Sequence, residues 1–201
     1  MLEARSSLGP LPTTGRDGAD GARRLRLGEI RSWQLAQLGA FPGTSVRLAA
    51  AVRAAAGLDL PESTVEATRR GADLAFRVAA DQFWILTPDT ARLSDLAAAV
   101  HPDVGSVTTL SASRTRILVE GAAARDVLGR LVAIDLDTNA FPIGHHAQTG
   151  MHHVGGLLFR AGAERYEFFA LRSFAASTWE LLADAALPFG YDIFNEARMS
   201  S

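Results

Sequence analysis

The chain has 201 residues, 22 of them acidic and 20 basic, with a formal net charge of −2; this suits one globular domain or two small ones built as a unit and excludes a broad basic field for nucleic acid. All the basic residues are Arg, and cysteine is absent, so disulfides, thiolate zinc sites, iron–sulfur ligation and Cys nucleophiles are excluded. No apolar run reaches the ~18–20 residues that a membrane helix needs, and the N-terminus lacks the apolar core of a signal peptide.

Residues 1–27 are rich in Gly, Pro, Thr and Arg and read as a mobile tail. Residues 30–38 (IRSWQLAQL) read as a strand and 41–43 (FPG) as a turn. A helix follows over 44–57, with Thr44 placed to cap it and Gly57 to end it. LAFRVA (74–79) alternates apolar and other residues as a half-buried strand does, and FWILT (83–87) reads as a buried strand paired with it. Thr87-Pro88 opens a second helix with its apolar stripe on Leu93, Leu96, Ala97 and Val100; residues 106–112 form another strand.

The same order then recurs. TRILVEG (115–121) is a strand, and Ala124, Val127, Leu128 and Leu131 are the stripe of a helix. Residues 132–145 are a loop. Residues 147–160 are two short strands or one bent strand, with Gly155-Gly156 marking a bulge or bend. RYEFFAL (165–171) is a strand; Ser173 is placed to cap a helix with the stripe Phe174, Thr178, Leu181, Leu182 and Ala185; YDIF (191–194) closes the unit. The expected class is α+β, built as two ferredoxin-like β-α-β-β-α-β halves, 28–113 and 114–194, with a C-terminal tail at 195–201.

Four of the five histidines lie in two pairs, His145–His146 and His152–His153. Neighbours on a strand point to opposite faces, so one pair offers one His to any one site. His146 and His152 share parity, but six residues of continuous strand separate them by about 20 Å. A shared metal would need a tight fold-back near Thr149-Gly150, so exposed loop and edge histidines are the expectation, with a His-ligated metal as the competing reading. Neither G-x-G-x-x-G nor a P-loop lysine occurs. GAAARD (121–126) could offer free N–H groups to an anion, but packing is favoured. Asp135 and Asp137 read as a solvated turn, with acid–base catalysis as the lesser reading. Arg172, beside the Ser173 cap, is a candidate for holding a carboxylate. Trp33, Trp84 and Trp179 read as core or interface residues.

The second half resembles the gamma subunit family of heterotetrameric sarcosine oxidase. The pieces that carry the resemblance are GAAARDVL (121–128), the Asp135-Leu136 step with the AFPIG loop (140–144), AQT (147–149), and RSFA with Trp179 and Leu181-Leu182 in the last helix. The first half fits less specifically through GLDLP (57–61) and FWIL (83–86), so the resemblance covers about residues 28–194. The family is similar in turn to the folate-binding aminomethyltransferase (glycine-cleavage T-protein-like) fold.

The resemblance implies a cytoplasmic bacterial complex of four unlike subunits. Alpha carries NAD and the folate site, beta the flavin chemistry and delta a zinc. The complex uses FAD, FMN, NAD and tetrahydrofolate, and gamma holds none of them. In the aminomethyltransferases acids follow a Gly-Gly pair and an apolar step; here Gly155-Gly156 leads to Leu157, Leu158, Phe159 and Arg160. Neither Phe nor Arg replaces a carboxylate in proton transfer, so the resemblance implies a non-catalytic accessory chain that packs on alpha, beta and delta. Candidates for that packing are Phe141, Pro142, His145, His146 and Trp179. Val132-Ala133-Ile134 stands where the family often has Cys-Pro, which points to a divergent member. The alternatives are a gamma-like subunit of a related N-methyl amine oxidase or dehydrogenase, and a free-standing folate-binding or one-carbon transfer protein with Gln148 and Arg172 as ligand contacts.

Overall fold

The computed structural model describes residues 6–9 and 14–194. They form two compact units of mixed strand and helix, an α+β architecture. One unit is 32–112; the other joins the N-terminal residues up to Arg31 with Ser113 onward. The first strand, β1 (Leu25–Ile30), therefore belongs with the second half of the chain, across the boundary expected at 28.

In the smaller unit β2 (Gln34–Ala40) leads to α1 (Ser45–Ala56), then β3 (Thr68–Arg70), β4 (Asp73–Ala79), β5 (Gln82–Thr87), α2 (Thr90–Ala99) and β6 (Gly105–Thr109). The sheet is antiparallel, in the order β3-β4-β5-β2-β6. Alternation on the strands builds its core: Ala36 and Leu38 of β2 and Phe83 and Ile85 of β5 join Leu48 and Val52 of α1 and Leu96 of α2. Two caps differ from expectation. The Thr44 hydroxyl makes no cap; it donates to the carbonyls of Phe41 (2.8 Å) and Val104 (2.5 Å). The α2 cap is Asp89, which accepts from Ala91 N–H at 2.9 Å, while Thr87 accepts from Asp89 N–H at 3.1 Å. Gly57 ends α1 at φ 61°, a left-handed conformation that favours glycine, and the Arg70 guanidinium packs into the space its missing Cβ leaves.

In the larger unit β1 is followed by β7 (Arg114–Glu120), α3 (Ala124–Leu128), β8 (His146–Met151), β9 (Val154–Gly162), β10 (Arg165–Leu171), α4 (Ala175–Ala186) and β11 (Tyr191–Phe194). The order is β11-β1-β7-β10-β9-β8, with only the β1–β11 pair parallel. The closing strand thus pairs with β1, not with the first strand of its own half, and the second half is not a self-contained β-α-β-β-α-β unit. Leu25 and Leu27 explain why: their alternate side chains enter the same core as Ile117, Val119, Tyr166, Phe168 and the α4 residues Trp179 and Leu182.

The mobile-tail reading of 1–27 fails for its described part. Arg16 and Tyr191 exchange two backbone hydrogen bonds of 2.7 Å, covering the outer edge of β11. The buried Glu29 carboxylate accepts from Ser6 Oγ (2.6 Å), Ser7 N–H (2.9 Å) and Ser7 Oγ. Residues 1–5, 10–13 and the expected tail at 195–201 lie outside the described residues.

Candidate functional site

The segment with the clustered histidines folds as a loop and a hairpin. β8 and β9 pair from His146↔Phe159 to Met151↔Val154, so the connecting turn is His152-His153, with His152 at φ 50°. The fold-back is therefore at the second histidine pair and not at Thr149-Gly150. Both of its histidines are exposed, their ring centroids 6.2 Å apart. His146, by contrast, is buried at the far end of β8. Among the described residues no group of three or more His, Asp or Glu is placed to hold a metal ion.

Gly155-Gly156 makes no bulge. The β8–β9 register runs through both, and β9 continues to Gly162. The requirement at Gly156 is close approach: a Cβ there would stand 2.4 Å from Phe168 Cζ and 2.6 Å from the Phe169 carbonyl oxygen.

Arg160 is the chemical centre of the segment. It is 4% exposed, and among the described residues no carboxylate pairs with it. Its guanidinium donates instead to three backbone carbonyls, of Phe141 (2.7 Å), Ala163 (3.0 Å) and Gly162 (3.4 Å), and lies over the Tyr166 ring at 5.6 Å. Its own backbone completes the clamp: Gly144 N–H donates to Arg160 O (2.8 Å), and Arg160 N–H donates to His145 O (2.9 Å). The AFPIG loop is thus tied to Arg160 at both ends, by its guanidinium at Phe141 and by its backbone at Gly144 and His145. His145 N–H reaches Pro142 O (3.1 Å), and the His145 ring meets Phe141 edge-on at 6.4 Å. Burial pushes the Tyr166 phenol above its ordinary range, with Arg160 and Arg125 opposing, and the hydroxyl meets no hydrogen-bond partner among the described residues.

The sheet face opposite the helices holds a second buried charge. Glu167 is 2% exposed; Arg116 donates to one oxygen twice (2.9 and 2.7 Å), and Arg165 donates to the other (3.2 Å, twice). The Arg116 guanidinium also lies over Phe169 at 5.7 Å. Both carboxylate oxygens are occupied, as are those of Glu29, so neither acid presents an open oxygen to a substrate. Sequence reading singled out neither acid. For Glu167 the available signal is parity: Arg165, Glu167 and Phe169 alternate with the core residues Tyr166, Phe168 and Ala170.

The remaining candidates separate. Phe141 and Trp179 belong to the core cluster of the larger unit, and His146 is 1% exposed, so all three are withdrawn from the surface that a partner could touch. Pro142 and His145 are half-buried on the loop. Gln148 is exposed on β8, and Arg172 is exposed where β10 passes into a 3-10 turn (Arg172–Phe174). Gln148 lies in register with Leu157 and, beyond it, Phe169, so two strand spacings, roughly 10 Å, separate it from the strand that leads to Arg172. Ser173 caps nothing: α4 starts from that 3-10 turn with Phe174 at its N-cap. Asp135 and Asp137 accept from the N–H groups of Asp137 (2.8 Å) and Asn139 (3.0 Å), as turn carboxylates do. The N–H groups of Gly121, Ala123 and Ala124 at the start of α3 donate to chain carbonyls.

The chain is 29% identical over 171 residues to the sarcosine oxidase subunit gamma of Corynebacterium sp. (strain U-96), covering 84% of this chain and 82% of the relative. It is 30% identical over 152 residues to the sarcosine oxidase subunit gamma of an Arthrobacter species, covering 75% and 74%. Its structure is similar, at TM-score 0.78 and 28% identity, to a chain of the heterotetrameric sarcosine oxidase from Corynebacterium sp. U-96, covering 86% of this chain and 88% of that one. The aminomethyltransferase T of the glycine cleavage system from Bartonella henselae shares the fold, at TM-score 0.59 and 16% identity, with 85% of this chain covering 48% of that one. The sarcosine oxidase gamma subunit family matches residues 43–187, and the chain belongs to it.

Proposed function

We propose that this chain is the non-catalytic gamma subunit of a heterotetrameric sarcosine oxidase and assembles with alpha, beta and delta subunits in the cytoplasm. The complex converts sarcosine, oxygen and water to glycine, formaldehyde and hydrogen peroxide, or passes the one-carbon unit to tetrahydrofolate in place of releasing formaldehyde. The observation that carries this reading is the likeness over nearly the whole length of both chains to a chain of a heterotetrameric sarcosine oxidase.

The chemistry of the larger unit supports the non-catalytic part. Arg160, at the step where aminomethyltransferases carry acids, is a buried clamp on a loop. On this reading the flavin, nicotinamide and folate contacts fall to the other subunits. Among the described residues no helix is long and apolar enough to cross a membrane.

Co-expression of the full chain with the three other subunits tests the proposal. The expected result is a four-subunit complex on size exclusion that retains this chain through purification. A chain that stays apart from all three overturns it. Calorimetric titration of the chain alone with tetrahydrofolate, expected to give no heat, separates this reading from that of a free-standing folate protein.

A further inference from the structure

Glu29 on β1 is an acid buried without a cation. It is 8% exposed and makes no ion pair among the described residues. Its donors come almost entirely from two consecutive residues near the start of the chain. Ser6 Oγ donates to one carboxylate oxygen (2.6 Å), and Ser7 N–H (2.9 Å) and Ser7 Oγ donate to the other. Thr115 Oγ1 of β7 stands 3.4 Å from that second oxygen and 2.7 Å from Ser7 Oγ. A carboxylate taken out of water needs such donors, and charge-assisted bonds are about twice as strong as neutral ones.

The donors depend on the acid in return. Among the described residues, none of Ser6, Ser7, Leu8 and Gly9 makes a backbone–backbone hydrogen bond to a strand; along the chain the first such bond is at Arg16, to Tyr191. Leu8 lies half-buried against the core of the larger unit, its N–H donating to Ser6 Oγ (3.1 Å), and Gly9 follows at φ 68°. A segment with no strand pairing, gathered on one side chain, belongs to the class that opens locally at less cost than global unfolding.

We propose that Glu29 and Thr115 form a peptide-binding site on the larger unit, that Ser6-Ser7-Leu8 is its ligand in cis, and that this segment opens and closes as a strap while the sheet stays folded. The chemistry recognised is two adjacent hydroxyls and one amide N–H on a single carboxylate, followed by an apolar side chain. A short tether gives an effective concentration on the order of mM, so the same segment offered as a free peptide must be supplied in that range. The proposal does not depend on the subunit reading above.

The test uses the full chain and NMR relaxation. Glu29→Leu puts an apolar side chain where the buried carboxylate stood. The backbone order parameters of Ser6, Ser7 and Leu8 should fall from about 0.85 to below about 0.6, while hydrogen exchange in β7 and β10 stays as slow as in the parent. In the double variant Ser6→Ala with Ser7→Ala, the strap lacks its hydroxyls and should loosen in the same way. A capped peptide of residues 5–9 (RSSLG), added at millimolar concentration to that variant, should then shift the Glu29 side-chain carboxylate and Thr115 resonances; the peptide with both serines replaced by alanine should not. Order parameters that stay high in Glu29→Leu overturn the proposal, because something other than the carboxylate then holds the segment. Faster exchange in β7 and β10 alongside the loss of order also overturns it, since the segment is then an inseparable part of the sheet. A peptide that leaves both resonances unmoved overturns the binding site itself. If Glu29→Leu does not fold, the serine variant supplies the same comparisons with the acid in place.

Discussion

Two buried charges stand on adjacent strands of one sheet and are satisfied in opposite ways. Arg160 on β9, on the helix side, is surrounded by neutral backbone carbonyls, of Phe141 in a loop, Ala163 in a turn and Gly162 at the end of its own strand. Glu167 on β10, on the other side, is held between two guanidiniums that belong to strands. The register brings Tyr166 beside Arg160 and Glu167 beside Phe159, so the two charges are close in the sheet and separated by its faces. What differs is what each one organises. Arg160 holds backbone, so its loss frees a loop. Glu167 holds other side chains, so its loss leaves like charges facing one another with nothing between them.

That contrast orders the expected stabilities. Glu167→Ala should cost most, about 3–5 kcal/mol in urea denaturation, because it strands Arg116 in a nearly dry site. The half-open Arg165 adds little to that figure, since solvent screens it. Replacing the pair together, Glu167→Leu with Arg116→Met, should recover most of the loss; a double variant as unstable as the single would mean that the damage lies in packing and not in charge. Arg160→Met should cost less, about 2 kcal/mol, because it strands no opposite charge and the Gly162 and Ala163 carbonyls that it releases are only part-buried. Its signature is local: hydrogen exchange should rise over 141–145 and stay slow in β7 and β10. A global rise would erase the distinction drawn between the two charges.

Gly156→Ala probes the strand between them. The added Cβ would press on Phe168 Cζ and on the Phe169 carbonyl, and rigid backbone gives less readily than a side-chain tip. A loss of about 1–3 kcal/mol is expected for overpacking of this kind. The larger variant Gly156→Val should cost more; indifference to both would mean that β9 and β10 separate easily, against their unbroken pairing from Tyr166↔Arg160 to Ala170↔Gly156.

How much of this was legible depended on how far apart the interacting residues lie. Helix faces were readable because the period is local, and the stripe Val127, Leu128 appears in the core as read; the alternation in 74–79 does not, since Asp73 to Phe76 are all buried and it is Ala75, of the other parity, that joins the helix-side core. β1 was missed because its two inward leucines follow a Gly- and Arg-rich stretch, and its partners, β7 and β11, come some ninety and more residues later. The caps at Thr44 and Ser173 failed for a related reason. A hydroxyl takes whichever acceptor or donor the tertiary fold brings, and Thr44 was taken by Val104. At the site, the letters AFPIG and AQT carried the family, but the use of Arg160 did not show in them. Its acceptor at 141 meets it only through the hairpin at His152-His153, and its acceptors at 162 and 163 only through the turn into β10. A buried cation satisfied by backbone leaves no complementary acid for sequence reading to find.

The smallest expected effect tests the Arg160 side from its neighbour. The Tyr166 hydroxyl is buried without a partner among the described residues, so Tyr166→Phe should be neutral or stabilise by up to about 1 kcal/mol near neutral pH, with the ring kept under Arg160. The alkaline limb sharpens this. Burial raises the folded phenol above the unfolded value of about 10, so between those two values the native chain keeps a proton that the unfolded chain has released. Stability linked to Tyr166 is therefore whole below pH about 10 and declines as the pH rises toward the folded value. In Tyr166→Phe that decline should be absent, and the difference between the two chains should widen from pH 9 to 11 in denaturant midpoints. If the two midpoints instead fall in parallel, the phenol is not held neutral beside Arg160. The cation would then have an anionic partner at high pH, and the two faces of the sheet would handle charge alike.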